Sequence, residues 1–206
     1  MERNLGDMKK ILGYVIRDSL VTREQAEILT HIHVAFGLLT ENGEIISDAH
    51  PFLEQMEQVK RWNPGIQIVL SVVPQVPGAF TEVSASEELR ENVARSCERL
   101  VTEEGFDGVD FDWEYPCVPS IGMDCRPEDR HNFTLLCEAA KRGMEKAGRG
   151  TVSIAAGADL YYIESVEPEN LAKILDYVCV MTYDLKCGFH ALTGHHTALY
   201  SSTGDI

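Results

Sequence analysis

Six strand-length apolar runs, separated by helix-patterned segments, constrain the fold of this chain more than any other feature. They cover residues 11–16 (ILGYVI), 32–39 (IHVAFGLL), 66–73 (IQIVLSVV), 106–113 (FDGVDFDW), 151–158 (TVSIAAGA) and 177–185 (YVCVMTYDL). Each is rich in Val, Ile or aromatic residues, and most lack strict polar alternation, the mark of strands covered on both faces. The intervening segments carry helix signals. Thr22 and Gln25 make a capping-box pattern. Phe52, Leu53, Met56 and Val59 recur at helical spacing until Asn63-Pro64-Gly65. Ser84 and Glu87 read as a second capping box, before a helix bearing Leu89, Val93, Cys97 and Leu100. Pro127 precedes a helix with Phe133, Leu136, Cys137, Ala140 and Met144, stopped by Gly148 and Gly150. Pro168 opens a last helix with Leu171, Ile174 and Leu175.

This rhythm predicts one α/β domain over residues 1–206 with a parallel sheet. The hydrophobic share of 44% suffices for a single core. Two architectures fit: an open doubly wound sheet, or a (β/α) barrel with its chemistry at the strand C-termini. No GxGxxG or GxxxxGK[ST] follows the first strand, so phosphate-cradle chemistry has no support. A formal charge of −15 argues against a nucleic-acid partner, which needs clustered Lys and Arg. No apolar run reaches membrane-spanning length, so no membrane partner is expected. The opening MERNLGDMKKILGYVI has no apolar leader, which gives an expectation of a cytoplasmic location with reduced thiols. A secreted or wall-associated protein is expected instead if the native chain starts further upstream. Cys117 and Cys125 flank a Gly- and Pro-containing loop, and a bridge between them stays open.

The chemistry concentrates in FDGVDFDWEYP, residues 106–116. Strand side chains alternate, so Asp110, Asp112 and Glu114 share one face while Phe111 and Trp113 share the other. The apolar pair is expected under the helices, and the acids inside a barrel with Glu114 nearest the mouth. Neighbouring carboxylates in a partly dry site cannot all ionise cheaply, so one member keeps a proton. A carboxylic acid held neutral near pH 7 is a general acid, and that role falls to Glu114. A divalent cation on the grouped acids is the alternative, but they form a single row without evident ligands from other strands. Neither a metal nor a cofactor is therefore expected. His195 and His196 are adjacent, which in a strand puts them on opposite faces and in a loop leaves them uncommitted. Trp62 reads as packing.

Asp107-Gly-Val-Asp110-Phe-Asp112-Trp-Glu114-Tyr-Pro resembles the DxxDxDxE signature of glycoside hydrolase family 18, the chitinase-like enzymes. Met181-Thr-Tyr-Asp184, followed by Gly194-His-His-Thr-Ala-Leu-Tyr200, is similar to a second segment of that family. Weaker likeness covers Gly13-Tyr14 and Ala35-Phe36. Ser71-Val-Val-Pro74 departs from the family's SxGG. The resemblance implies a (β/α)8 TIM barrel of which about six strand-helix units are present, so a catalytic domain lacking its last two strands is expected.

It further implies retaining hydrolysis of β-1,4-linked N-acetylglucosamine, in chitin or chito-oligosaccharides, with the substrate's acetamido group as nucleophile. Glu114 would serve as general acid and base. Asp112 would orient the acetamido group, Asp110 would tune Asp112, and Tyr183 would donate to the acetamido oxygen. Tyr14, Phe36, Tyr115, Met181 and Asp184 would line the sugar site, and Asp107 would be structural. The partner is then an N-acetylglucosamine-containing oligo- or polysaccharide. The alternatives are a non-catalytic lectin-like binder, an endo-β-N-acetylglucosaminidase, and a hydrolase of cell-wall or spore peptidoglycan.

Overall fold

A computed structural model describes residues 9–16, 19–47, 51–119, 125–186 and 193–200. All six expected strands form: β1 (Leu12–Ile16), β2 (His31–Leu39), β4 (Gln67–Pro74), β5 (Gly108–Phe111), β6 (Thr151–Gly157) and β7 (Tyr177–Met181). A two-residue strand, β3 (Ile45–Ile46), is added by a turn after β2 and pairs with it antiparallel. Gly43 makes that turn possible. Its φ is 76°, and a Cβ there would meet the Leu89 carbonyl oxygen at 2.3 Å.

The six long strands pair in sequence order β1-β2-β4-β5-β6-β7, all parallel. The sheet curls through 228°, an open half-barrel. This order decides between the two architectures left open above, because a doubly wound sheet reverses its strand order partway and this one does not.

The helices are α1 (Arg23–Ile28), α2 (Met56–Trp62), α3 (Ala79–Ala85), α4 (Glu87–Thr102), α5 (Asp129–Lys146), α6 (Leu160–Ser165) and α7 (Pro168–Ile174), with a 3-10 turn over Pro51–Glu54. The Thr22–Gln25 capping box opens α1 as its sequence indicates. The Ser84–Glu87 box does not form. Ser84 lies inside α3, a helix the pattern did not reveal, and its hydroxyl donates to the Thr81 carbonyl. Ser86 caps α4 instead, accepting from the Leu89 amide at 3.3 Å. The two helices abut there, so the chain needs an extended residue between them, and Ser86 supplies it at φ −100°, ψ 124°.

Alternation across β5 and beyond sends Phe111 and Trp113 outward into the helical layer, as expected. Phe80 of α3 stacks on Trp113 at 5.2 Å and 9°, and Phe133 of α5 meets Trp113 edge-on at 5.4 Å. These rings, with Leu100, Leu136 and Val93, fill the layer between sheet and helices. Trp62 packs half-buried against the same core. Asp107, of opposite parity to the acid row, is pinned below it. It accepts from the Ile68 amide at 3.0 Å and pairs with Lys60 at 2.9 Å and Arg149 at 2.6 Å. The charge is thus matched twice, and the carboxylate clamps β5 to β4 and to the loop after α5. No described helix is long and apolar enough to cross a membrane.

Candidate active site

The inner face of the half-barrel carries a polar ring built one residue per strand. Tyr14 on β1 is in register with His33 on β2, and Ser71 on β4 and Ser153 on β6 are both in register with Asp110 on β5. Asp110 is fully buried at its centre. It accepts from Ser153 Oγ at 2.7 Å, Ser71 Oγ at 2.8 Å and the Tyr14 hydroxyl at 3.0 Å. His33 Nδ1 lies 3.3 Å from Asp110 Oδ2, close enough for an ion pair but not aligned as a hydrogen bond. Burial alone pushes this carboxyl up. The imidazole of His33 and the hydroxyls of Ser153 and Ser71 outweigh burial, and Asp110 is held below the usual carboxylate range.

Asp112 lies just past the end of β5, its amide donating to the Val72 carbonyl at 2.9 Å. It has no such set of donors. Burial first, then the charge of Glu114, then that of Asp110 and a hydrogen bond with Glu114, push it up to about 7. Its Oδ1 is buried with no hydrogen-bond partner among the described residues. Within the row, Asp112 is thus the carboxyl whose surroundings favour its neutral form. The sequence reading assigns the general-acid role to Glu114, the outermost acid, which is the direct neighbour of Asp112 in the row.

Glu114 is exposed at the rim. It borders, with Asp112, a cavity of about 140 Å³ between the ends of β4 and β5 and the start of α3, lined also by Val73, Pro74, Gly78 and Thr81. Tyr115 follows it half-buried, edge-on to Tyr162 at 5.7 Å. Its hydroxyl is pushed up by burial and by the Glu114 charge. Tyr183 stands half-exposed beyond β7, and burial followed by the charges of Asp112 and Glu114 raises its hydroxyl too. Both phenols thus face the acid row and stay protonated donors.

The remaining expected site residues divide. Tyr14 is brought in as a donor to Asp110, and its side chain stays exposed on the same face. Met181 is buried at the end of β7, in register with Gly157. Asp184 sits at φ 55° and pairs with His196 at 3.2 Å. Phe36 is exposed at the register shift of β2 between Ala35 and Gly37. Cys117 and Cys125 are free thiols, so no bridge joins them.

Sequence reasoning missed His33, Ser71, Ser153 and Tyr177. Tyr177 meets His33 Nε2 through its hydroxyl at 3.0 Å. The available signal was one polar residue in each of several otherwise apolar strand runs, all at inward parity. Among the described residues, His33, Asp110 and Cys179 offer ligand atoms within 4.8 Å of one another, the one grouping suited to a metal ion.

Comparison with known proteins agrees with this arrangement. The model for Glycosyl hydrolases family 18 matches residues 10–205. Chitinase A1 of Niallia circulans is 32% identical over 154 residues, 71% of this chain and 22% of that protein. Putative chitinase 1 of Margaritifera margaritifera is 30% identical over 195 residues, 86% of this chain and 41% of that protein. This chain therefore spans less than half the length of these relatives. Among solved structures, a glycoside hydrolase family 18 N-acetylglucosaminidase from Paenibacillus barengoltzii is 42% identical with a TM-score of 0.88, covering 95% of this chain and 59% of that one. The chitinase domain of the spore coat protein CotE from Clostridium difficile is 28% identical with a TM-score of 0.82, over 98% of this chain and 59% of that domain. A match across nearly all of its length, over a half-barrel that carries the acid row at its mouth, makes this chain a member of glycosyl hydrolases family 18.

Proposed function

We propose that this chain forms the acid-bearing part of a glycosidase that cleaves β-1,4-linked N-acetylglucosamine with retention, the substrate's acetamido oxygen acting as nucleophile. The supporting observation is Asp112, a carboxyl pushed up to about 7 with one buried oxygen lacking a donor. An acetamido N–H supplies the missing donor, and an unsatisfied buried acceptor costs enough to favour a ligand that brings one. As the acetamido oxygen attacks C1, Asp112 passes its proton across its hydrogen bond to Glu114 and, as a carboxylate, compensates the developing positive charge, with Asp110 behind it. Glu114 reaches the glycosidic oxygen from the rim, donates a proton as that bond breaks, and then takes one from water. Tyr183 donates to the acetamido oxygen and fixes its direction of attack.

The N-acetylglucosaminidase and the chitinases among its relatives support an amino-sugar substrate for the protein to which this chain belongs. The reading extends to a complete (β/α)8 barrel as the setting of the activity. Turnover of a fluorogenic chitobioside, alongside direct binding of chito-oligosaccharides, tests it. Glu114→Gln is expected to lower turnover by about 10²–10⁴-fold with binding retained. Binding without turnover by the unsubstituted protein would support a lectin-like role instead, and turnover unchanged by the substitution removes Glu114 from the mechanism.

A further inference from the structure

Beneath the acid row, His33 presents an unusual arrangement. The side chain is fully buried, yet Nδ1 has no hydrogen-bond partner among the described residues. The atom nearest to it on the acid row is Asp110 Oδ2, at 3.3 Å. Nε2 is already matched to the Tyr177 hydroxyl at 3.0 Å. In the tautomer with the proton on Nε2, which donates to Tyr177, Nδ1 offers its lone pair beside the Asp110 carboxylate, and that is the form of the ring a cation selects.

Cys179 on β7 completes the group, since its sulfur, a ring nitrogen of His33 and a carboxylate oxygen of Asp110 all lie within 4.8 Å of one another. Imidazole nitrogen, carboxylate oxygen and thiolate sulfur form a donor set suited to zinc. Ligands about 2.0 Å from a tetrahedral zinc sit about 3.3 Å from each other, and the His33 and Asp110 atoms already stand at 3.3 Å. A metal-ligating histidine ordinarily donates its other ring N–H to an oxygen, which fixes the ring; Tyr177 stands where that role requires.

We propose that His33, Asp110 and Cys179 form a binding site for a soft divalent cation of the zinc class, at the inner end of the acid row. On binding, the Cys179 thiol releases its proton to solvent, and the cation takes the place of the Tyr14 hydroxyl at Asp110 Oδ2 while the Ser71 hydroxyl keeps its bond there. The fourth position is left to water. No redox change is involved. Resting in addition on the glycosidase reading, the cation inhibits hydrolysis, because it ties up the carboxylate that sets the charge on Asp112.

The test uses the full chain with Cys117, Cys125 and Cys187 replaced by serine, so that Cys179 is the one thiol outside the helical core. Cobalt(II) is the spectroscopic probe, and zinc chloride the titrant in calorimetry. One equivalent of metal and a sulfur-to-cobalt charge-transfer band are expected, with His33→Gln and Cys179→Ser each weakening binding about tenfold or more. Absence of the band, or affinity unchanged from the parent in both variants, overturns the site. Should either variant fail to fold, the parent's band and stoichiometry decide alone. Zinc is expected to inhibit chitobioside turnover in the parent and not in Cys179→Ser. A chain without turnover refutes the proposed function while the cobalt spectrum still decides the metal site.

Discussion

Three acids in one row carry three different environments, and solvent access with donor count separates them. Asp110 has three hydroxyl donors and stays ionised despite full burial. Asp112 has lost solvent without gaining donors, and its carboxyl rises from the ordinary 3.8 to about 7. The sign of the stability effect follows. Between these two values the folded chain keeps a proton that the unfolded chain has released, so stability falls as pH rises through the window. Asp112→Asn removes the titration, and its melting temperature is expected to vary less between pH 4 and pH 7 than that of the parent. An equally steep fall in both would show that Asp112 is not the group responsible. The acid spacing and its parity were legible in the sequence; the location of the proton was not. That depends on Ser71, Ser153 and Tyr14, which lie 39, 43 and 96 positions from Asp110 and meet it only when the sheet closes.

At the scale of elements, strands were easier to read than helix boundaries. Val- and Ile-rich runs bounded by turns leave little choice, whereas α3 and α6 are only 7 and 6 residues long and carry no extended periodicity. The misplaced cap shows the same limit: Ser84 and Ser86 both precede glutamates, and only the break between α3 and α4 selects Ser86. Ser86→Ala is expected to cost about 1 kcal/mol in chemical denaturation, and Ser84→Ala less. The contact between α4 and α5 gives a sharper expectation. Gly143 lies where a Cβ would come 2.2 Å from the Ala94 carbonyl oxygen. Alanine improves helix propensity by about 1 kcal/mol, but the backbone oxygen cannot yield without parting the helices, an overpacking cost of about 1–3 kcal/mol. Gly143→Ala is therefore expected to lower stability, and a raised denaturation midpoint would refute the close packing.

For the whole molecule, the open edges dominate. β1 shows Ile11 and Ile16 beside Leu20 and Ile28 of the flanking segment, and β7 shows Val178 and Val180 beside Ile163. The β7 side forms an apolar hollow of about 400 Å³ with Ile154, Leu171 and Leu175. Unpaired strand edges with apolar faces favour association between chains. Concentration-dependent light scattering is expected from this chain, reduced in Val178→Lys combined with Val180→Lys; identical scattering would place the contact elsewhere. The parallel sheet was legible from the repeated strand-helix rhythm, whereas the consecutive strand order and the incomplete curl came only with the family resemblance and the count of apolar runs. The polar ring inside was not, because no single strand contains more than one or two of its members.

Storage of a proton on the acid row is most directly measured by titrating the Asp112 carboxyl carbon in a ¹³C-labelled chain. A midpoint near 7 is expected, with Asp110 remaining ionised throughout the same range. A midpoint near the ordinary 3.8 would contradict it.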